Sequence, residues 1–281
     1  MTLAFRPVNS AVAGFLTVAV AGLVAVHMNG FWPDQGLDEA PASGAAQLIS
    51  KAVDVAAPPV ATVAARAMSG NTNASYYNTL RTQMRWVETR MGTAMLKTPD
   101  EASRLLLVKA AADRARLADV GLSYRDVYGI ISAETSWTPR SGMGKNGTPS
   151  LGIAQFEPAT AKALGLANPN DPVEAVHVAA LHMKEAALWS ADRLAGLKLS
   201  VADRAEKLRE GVSIYYNLST RGRNTWNGRN TAKLPRETQR HIANSRDGAQ
   251  QAAWLDAQLE GQKYSSTQGR AMTVADASFR R

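Results

Sequence analysis

The chain has 281 residues, enough for one sizeable domain with extensions or for two small domains. It contains no cysteine, which excludes disulfides, thiolate chemistry and a Cys-ligated zinc site. Apolar residues make up 45% of it, so a substantial core is available, and the formal charge of +8 points to a polyanionic partner such as nucleic acid, an anionic membrane face or an acidic wall polymer.

The amino terminus carries Arg6, an uncharged, mostly apolar run from Ala11 to Val26, then Phe31 and Trp32, then Asp34, Asp38 and Glu39. This pattern predicts a membrane-directed segment over residues 1–34, either a signal peptide or an uncleaved anchor. No small-x-small cleavage site follows the run, which favours an anchor in the inner membrane through residues 11–32, with the two aromatics at the interface. The remainder is then expected outside the cytoplasm, in the periplasm. Residues 35–74 read as an Ala/Pro/Gly-rich linker, with room for a short helix around Ala45–Ala56.

From Tyr76 the texture becomes helical, and a folded domain is expected over 75–262. Leu80, Met84, Val87 and Met91 fall at helical spacing and predict one helix through "YYNTLRTQMRWVETRMGTAML". The "TPDE" at 98–101 predicts the next start, with Thr98 as cap, Pro99 in the first turn and Glu101 closing a capping box, and a stop at Gly121. Ser123 and Asp126 repeat that logic. Their helix carries "GIISAETSWTP" at 129–139. After Pro139 comes a polar, Gly-rich loop with room for a small hairpin in 142–153. A short helix behind Pro158, ending at Gly165, follows. A long helix capped by Asn170 or Asp171, with Pro172 in its first turn, comes next, and "RAEKLREGVSIYYNLS" supplies another. Seven or eight helices make an all-α domain. Residues 263–281 are expected to form a loose tail.

Val127, Ile130, Ile131 and Glu134 fall at i, i+3, i+4 and i+7, so Glu134 shares the apolar face of its helix. Partial burial and the negative end of the helix dipole both disfavour an anion there, the setting that a general acid needs. A glutamate that reaches out to solvent or pairs with an arginine fits the same spacing, and periodicity alone does not separate the two.

Three further segments bear on this: "SLGIAQFEPATA" at 150–161, "SIYYNLS" at 213–219 and "PRETQRHIAN" at 235–244. With "ETSW" at 134–137 they resemble, in order, the soluble lytic transglycosylase family, whose pattern is E-S, G-L-M-Q-x-x-P-x-T-A, A-Y-N-A-G and E-T-x-x-Y. "NPNDPVEAVHVAALHM" resembles the helix between the second and third motifs, and the likeness covers roughly residues 120–245. It implies a goose-type-lysozyme-like helical domain acting on peptidoglycan glycan strands. The implied reaction cleaves the β-1,4 bond from N-acetylmuramic acid to N-acetylglucosamine and leaves a 1,6-anhydromuramoyl end. Glu134 matches the catalytic acid. Thr135, Gln155, Tyr216, Asn217 and Glu237 match substrate-binding positions, and Asn146 or Ser141 stands in for a cleft serine.

The chain departs from the pattern at several places. Thr135 replaces serine, Ala154 replaces methionine, Leu218-Ser219 replaces Ala-Gly and His241 replaces the final tyrosine, and the spacing from Glu134 to Gln155 is longer. Glu157, a candidate second acid, reads better as a helix-start carboxylate. His177 and His182 are five apart with no HExxH, so neither a metal site nor a cofactor is expected. Trp137 or Trp226, each beside a motif residue, is a candidate for stacking on sugar.

From Arg221 to Arg246, Glu237 is the only acid, which suits an anionic glycan. Nucleic-acid binding ranks below this because of the membrane-directed amino terminus. The alternatives kept are a hydrolytic muramidase of the same fold and a non-catalytic peptidoglycan-binding component. The expected setting is wall turnover or a conjugation, secretion or phage machine spanning the envelope.

Overall fold

The computed structural model describes residues 70–143 and 147–278. The expected membrane segment, residues 35–69 of the linker, Asn146 and residues 279–281 lie outside the described residues. What is described is mostly helical, with two short hairpins.

Helix α1 (Gly70–Gln83) begins within the stretch read as linker. It buries Tyr77 and Leu80 and stops just before Met84, which is buried as well. The single long helix expected here is therefore corrected. Strands β1 (Trp86–Met91) and β2 (Ala94–Pro99) pair antiparallel, with Val87 opposite Thr98. Val87, Thr89 and Thr98 favour extended backbone, and Gly92 at φ +61° makes the two-residue turn. The helical spacing of Val87 and Met91 was coincidental, and both remain largely exposed.

Helix α2 (Glu101–Ala115) is capped by Asp100, whose carboxylate accepts from Ser103 N at 2.8 Å. Thr98, expected as the cap, lies in β2 instead. Arg116 in the left-handed region ends α2, and a 3₁₀ turn, Leu117–Val120, leads to Gly121 at φ +73°. Helix α3 (Tyr124–Thr135) has the complete capping box of Ser123 and Asp126. Strands β3 (Gly142–Met143) and β4 (Pro149–Ser150) form the small hairpin, followed by α4 (Pro158–Ala163). Asp171 caps α5 (Pro172–Leu194) by accepting from Val173 N and Glu174 N. Ser200 caps α6 (Val201–Asn217), and a single turn, α7 (Thr220–Arg223), precedes α8 (Arg236–Ser278). The backbone of 263–278, expected as a loose tail, continues α8. No proline interrupts this stretch.

Helix α3 is central: its fully buried Val127, Tyr128 and Ile131 meet Leu107 and Val108 of α2 and Val176 and Met183 of α5 in one core. Helix α8 crosses α3 at two glycines. A β-carbon on Gly129 would stand 2.2 Å from the Ser245 carbonyl oxygen, and one on Gly248 2.7 Å from Ser132 Cβ. Only hydrogen at these positions lets the helices meet so closely, and that approach brings the last turn of α3 to the first turns of α8. A second cluster gathers Leu194, Ile214, Leu234 and Trp226, whose indole stacks on Trp189 with centroids 5.6 Å apart. Among the described residues no helix is long and apolar enough to cross a membrane.

Candidate active site

Glu134 sits in the final turn of α3 with its side chain 15% exposed, in the wall of a cavity of about 1720 Å³. The backbone just beyond it is unusual. Ser136 (φ 52°) and Trp137 (φ 65°) are consecutive non-glycine residues in the left-handed region, a conformation that costs about 1–3 kcal/mol per residue and persists only where surroundings enforce it. Those surroundings are visible. The Trp137 indole is buried, 4.9 Å from the Tyr128 ring, and donates from Nε1 to Ser132 Oγ at 3.1 Å. Its carbonyl accepts from the Thr98 hydroxyl. Arg140 reaches back and donates to the Glu134 carbonyl at 2.8 Å, satisfying one of the carbonyls that a helix end exposes. The tryptophan is thus the anchor of the turn that presents Glu134. Trp226 is equally buried. Neither indole offers a face to sugar, which corrects that expectation.

Glu134 neither swings into solvent nor pairs with an arginine. Its Oε1 lies 2.8 Å from His241 Nε2, and His241 Nδ1 lies 2.6 Å from Ser213 Oγ. His241 and Ser213 are both buried. In the sequence His241 stands out only as a departure from a tyrosine. One signal pointed further: Thr238, His241 and Ser245 share one face of α8, and Thr238 donates to Asn217 Oδ1 at 2.9 Å, so that face meets the end of α6.

The remaining site residues divide by role. Tyr216, Asn217, Gln155, Glu157 and Glu237 line the same cavity as Glu134. Tyr216 donates its hydroxyl to the Ala154 carbonyl at 3.1 Å. Burial first, and the nearby Glu134 carboxylate second, push its hydroxyl well above the ordinary tyrosine range, so it stays a neutral donor. Gln155, itself at φ 50°, donates its side-chain amide to the Arg140 and Gly152 carbonyls, both at 2.8 Å, and so clasps the loop that follows Glu134. Thr135 is buried and donates to the Ile153 carbonyl at 2.8 Å, turned away from the cavity that Glu134 lines. Asn146 lies outside the described residues, and Ser141 is exposed. Glu157 occupies the N-cap position of α4 without a capping bond from its side chain. Among the described residues no group of three or more His, Asp or Glu is arranged to hold a metal ion.

Over 71 residues, a quarter of the chain, the sequence is 35% identical to a protein named "Transglycosylase" of Enterobacteria phage PRD1. The chain spans about a quarter of that protein's length (26%). No family model matches the chain, and no solved structure matches it.

Proposed function

We propose that this protein is a peptidoglycan lytic transglycosylase. The observation that carries the reading is the placement of Glu134: a half-buried carboxyl at a helix end, fixed by an imidazole on one oxygen, in the wall of a cavity large enough for several sugar rings. The match to the phage transglycosylase and the ordered motifs support it.

In this reaction Glu134 protonates the oxygen between N-acetylmuramic acid and N-acetylglucosamine as the bond to the anomeric carbon breaks. The carbonyl oxygen of the substrate's own N-acetyl group bonds to that carbon, so no second carboxylate is required. The 6-hydroxyl then displaces it, the Glu134 carboxylate takes the hydroxyl proton, and a 1,6-anhydro ring closes. Tyr216, Asn217 and Glu237 line the sugar path. Residues 11–32 would tether the enzyme to the inner membrane, with the catalytic domain in the periplasm and the wall within reach.

The test is digestion of purified sacculi in H₂¹⁸O, followed by mass spectrometry. Anhydro-ended muropeptides free of ¹⁸O are expected. Reducing ends carrying ¹⁸O would mean a hydrolytic muramidase, and binding without cleavage would mean a wall-binding component.

A further inference from the structure

Behind Glu134 stands a buried pair of polar residues, Ser213 and His241, whose only side-chain hydrogen bonds among the described residues run along one line to the carboxyl. The direction of the protons along that line can be argued. The Ser213 hydroxyl is buried on α6, and a buried O–H needs an acceptor. Among the described residues its one hydrogen-bond partner is His241 Nδ1, at 2.6 Å. To accept that hydrogen bond Nδ1 must be the unprotonated nitrogen of the imidazole, which puts the ring hydrogen on Nε2. Nε2–H then donates to Glu134 Oε1 at 2.8 Å. Glu134 Oε2 makes no hydrogen bond among the described residues. The two carboxyl oxygens are therefore unequal: one is held from behind, and the other is open.

Resting on the reading of Glu134 as the acid, we propose that His241, held in its Nε2–H form by Ser213, is a positioning residue that reserves Oε2 as the oxygen carrying the transferable proton. The opposite arrangement, with Nε2 as acceptor, would draw the acidic proton onto the imidazole and away from the substrate. In the proposed form the same hydrogen bond serves both halves of the reaction. While Oε2 is protonated, Nε2–H fixes the plane of the carboxyl. Once Oε2 has given its proton to the leaving oxygen, the bond to Oε1 becomes charge-assisted and stabilises the carboxylate until the 6-hydroxyl proton arrives on Oε2. No proton crosses the imidazole at any step.

The test compares wild type with His241→Phe, His241→Gln, Ser213→Ala and the His241→Phe/Ser213→Ala double variant, with Glu134→Gln alongside, on soluble glycan strands prepared from sacculi. Phenylalanine keeps the ring and removes both nitrogens. It should lower kcat by about 10²-fold, the scale of a lost alignment at a reacting group, with KM within about twofold. Glutamine can still donate to Oε1 and should stay within about fivefold of wild type. Ser213→Ala should lose on the order of fivefold, the worth of one hydrogen bond. The double variant leaves no orphaned hydroxyl. It keeps the test sound if the single phenylalanine variant fails to fold, and it should match that variant's expected kcat loss.

Wild-type kcat in the phenylalanine or double variant would overturn the proposal, as would a loss confined to KM or an equal loss in the glutamine variant. If Glu134→Gln is itself fully active, the assignment of the acid fails. If it is inactive while His241→Phe is not, only the role of His241 falls.

Discussion

Replacing Gly129 with alanine inserts one methyl group where α3 crosses α8. The new β-carbon would stand 2.2 Å from the Ser245 carbonyl oxygen and 3.1 Å from its carbon, both backbone atoms with no rotamer to escape into. Ordinary contact needs about 3.5 Å, so the helices must part by roughly 1 Å. Overpacking of this kind costs about 1–3 kcal/mol. Alanine returns about 1 kcal/mol of helix propensity over glycine. The expected net loss is about 0–2 kcal/mol, or up to ~8 °C in Tm for a domain of this size. Activity should fall further than stability, because the same separation opens the 2.8 Å contact between His241 and Glu134, and a misplacement of about 1 Å costs up to ~10²-fold. Thermal unfolding followed by circular dichroism and turnover on glycan strands would measure the two effects. Gly261→Ala, where an added β-carbon meets nothing within 4 Å, is the control and should be neutral or slightly stabilising. A Gly129→Ala protein that melts at or above the wild-type temperature with full turnover would refute the close crossing as the device that joins the site.

Two further outcomes follow from particular residues. His177 lies between Tyr76 and Tyr77 with Nδ1 bonded to the Val173 carbonyl at 2.8 Å, and burial lowers its pKa from 6.5 to about 4. Between those values the unfolded chain binds a proton that the folded one refuses. Stability should therefore fall as pH drops from about 6.5 to about 4, by roughly 3 kcal/mol in total. Denaturant melts of wild type and His177→Phe across that range check it: the variant should lack this part of the decline. Gln155→Ala removes both clasps on the Arg140 and Gly152 carbonyls. It should expose the 140–152 loop to limited proteolysis and lower kcat about tenfold while shifting Tm by only a few degrees. Unchanged cleavage of the loop would count against the clasp.

The parts of this molecule that depend on short stretches were legible in the sequence. The capping box of Ser123 and Asp126, the Asp171-Pro172 start and the stop at Gly165 depend only on neighbours along the chain, and all three stand in the structure, whereas the helix expected to stop at Gly121 ends at Arg116 and Gly121 closes the 3₁₀ turn that follows. The hairpin of β1 and β2 was misread because Leu80, Met84, Val87 and Met91 satisfy a helical period that only the first two use. The face of α3 that carries Glu134 was legible for the same local reason. Its partner was not, because the approach of His241 depends on two glycines more than a hundred residues apart along the chain. Trp137 shows the limit of proximity in sequence. An aromatic next to an acid reads equally well as a sugar platform or as an anchor, and the left-handed backbone at Ser136 and Trp137, with the bond to Ser132, decides for the anchor.

The central claim is that Glu134 carries the reacting proton, and the most direct measurement is the rate at which Glu134→Gln releases anhydro-ended muropeptides from sacculi. Glutamine keeps the size of the side chain and an oxygen for His241 while removing the transferable proton. The account predicts a folded protein that still binds sacculi and has lost at least ~10³-fold of the wild-type rate. A variant that folds, binds and cleaves at the wild-type rate would contradict it.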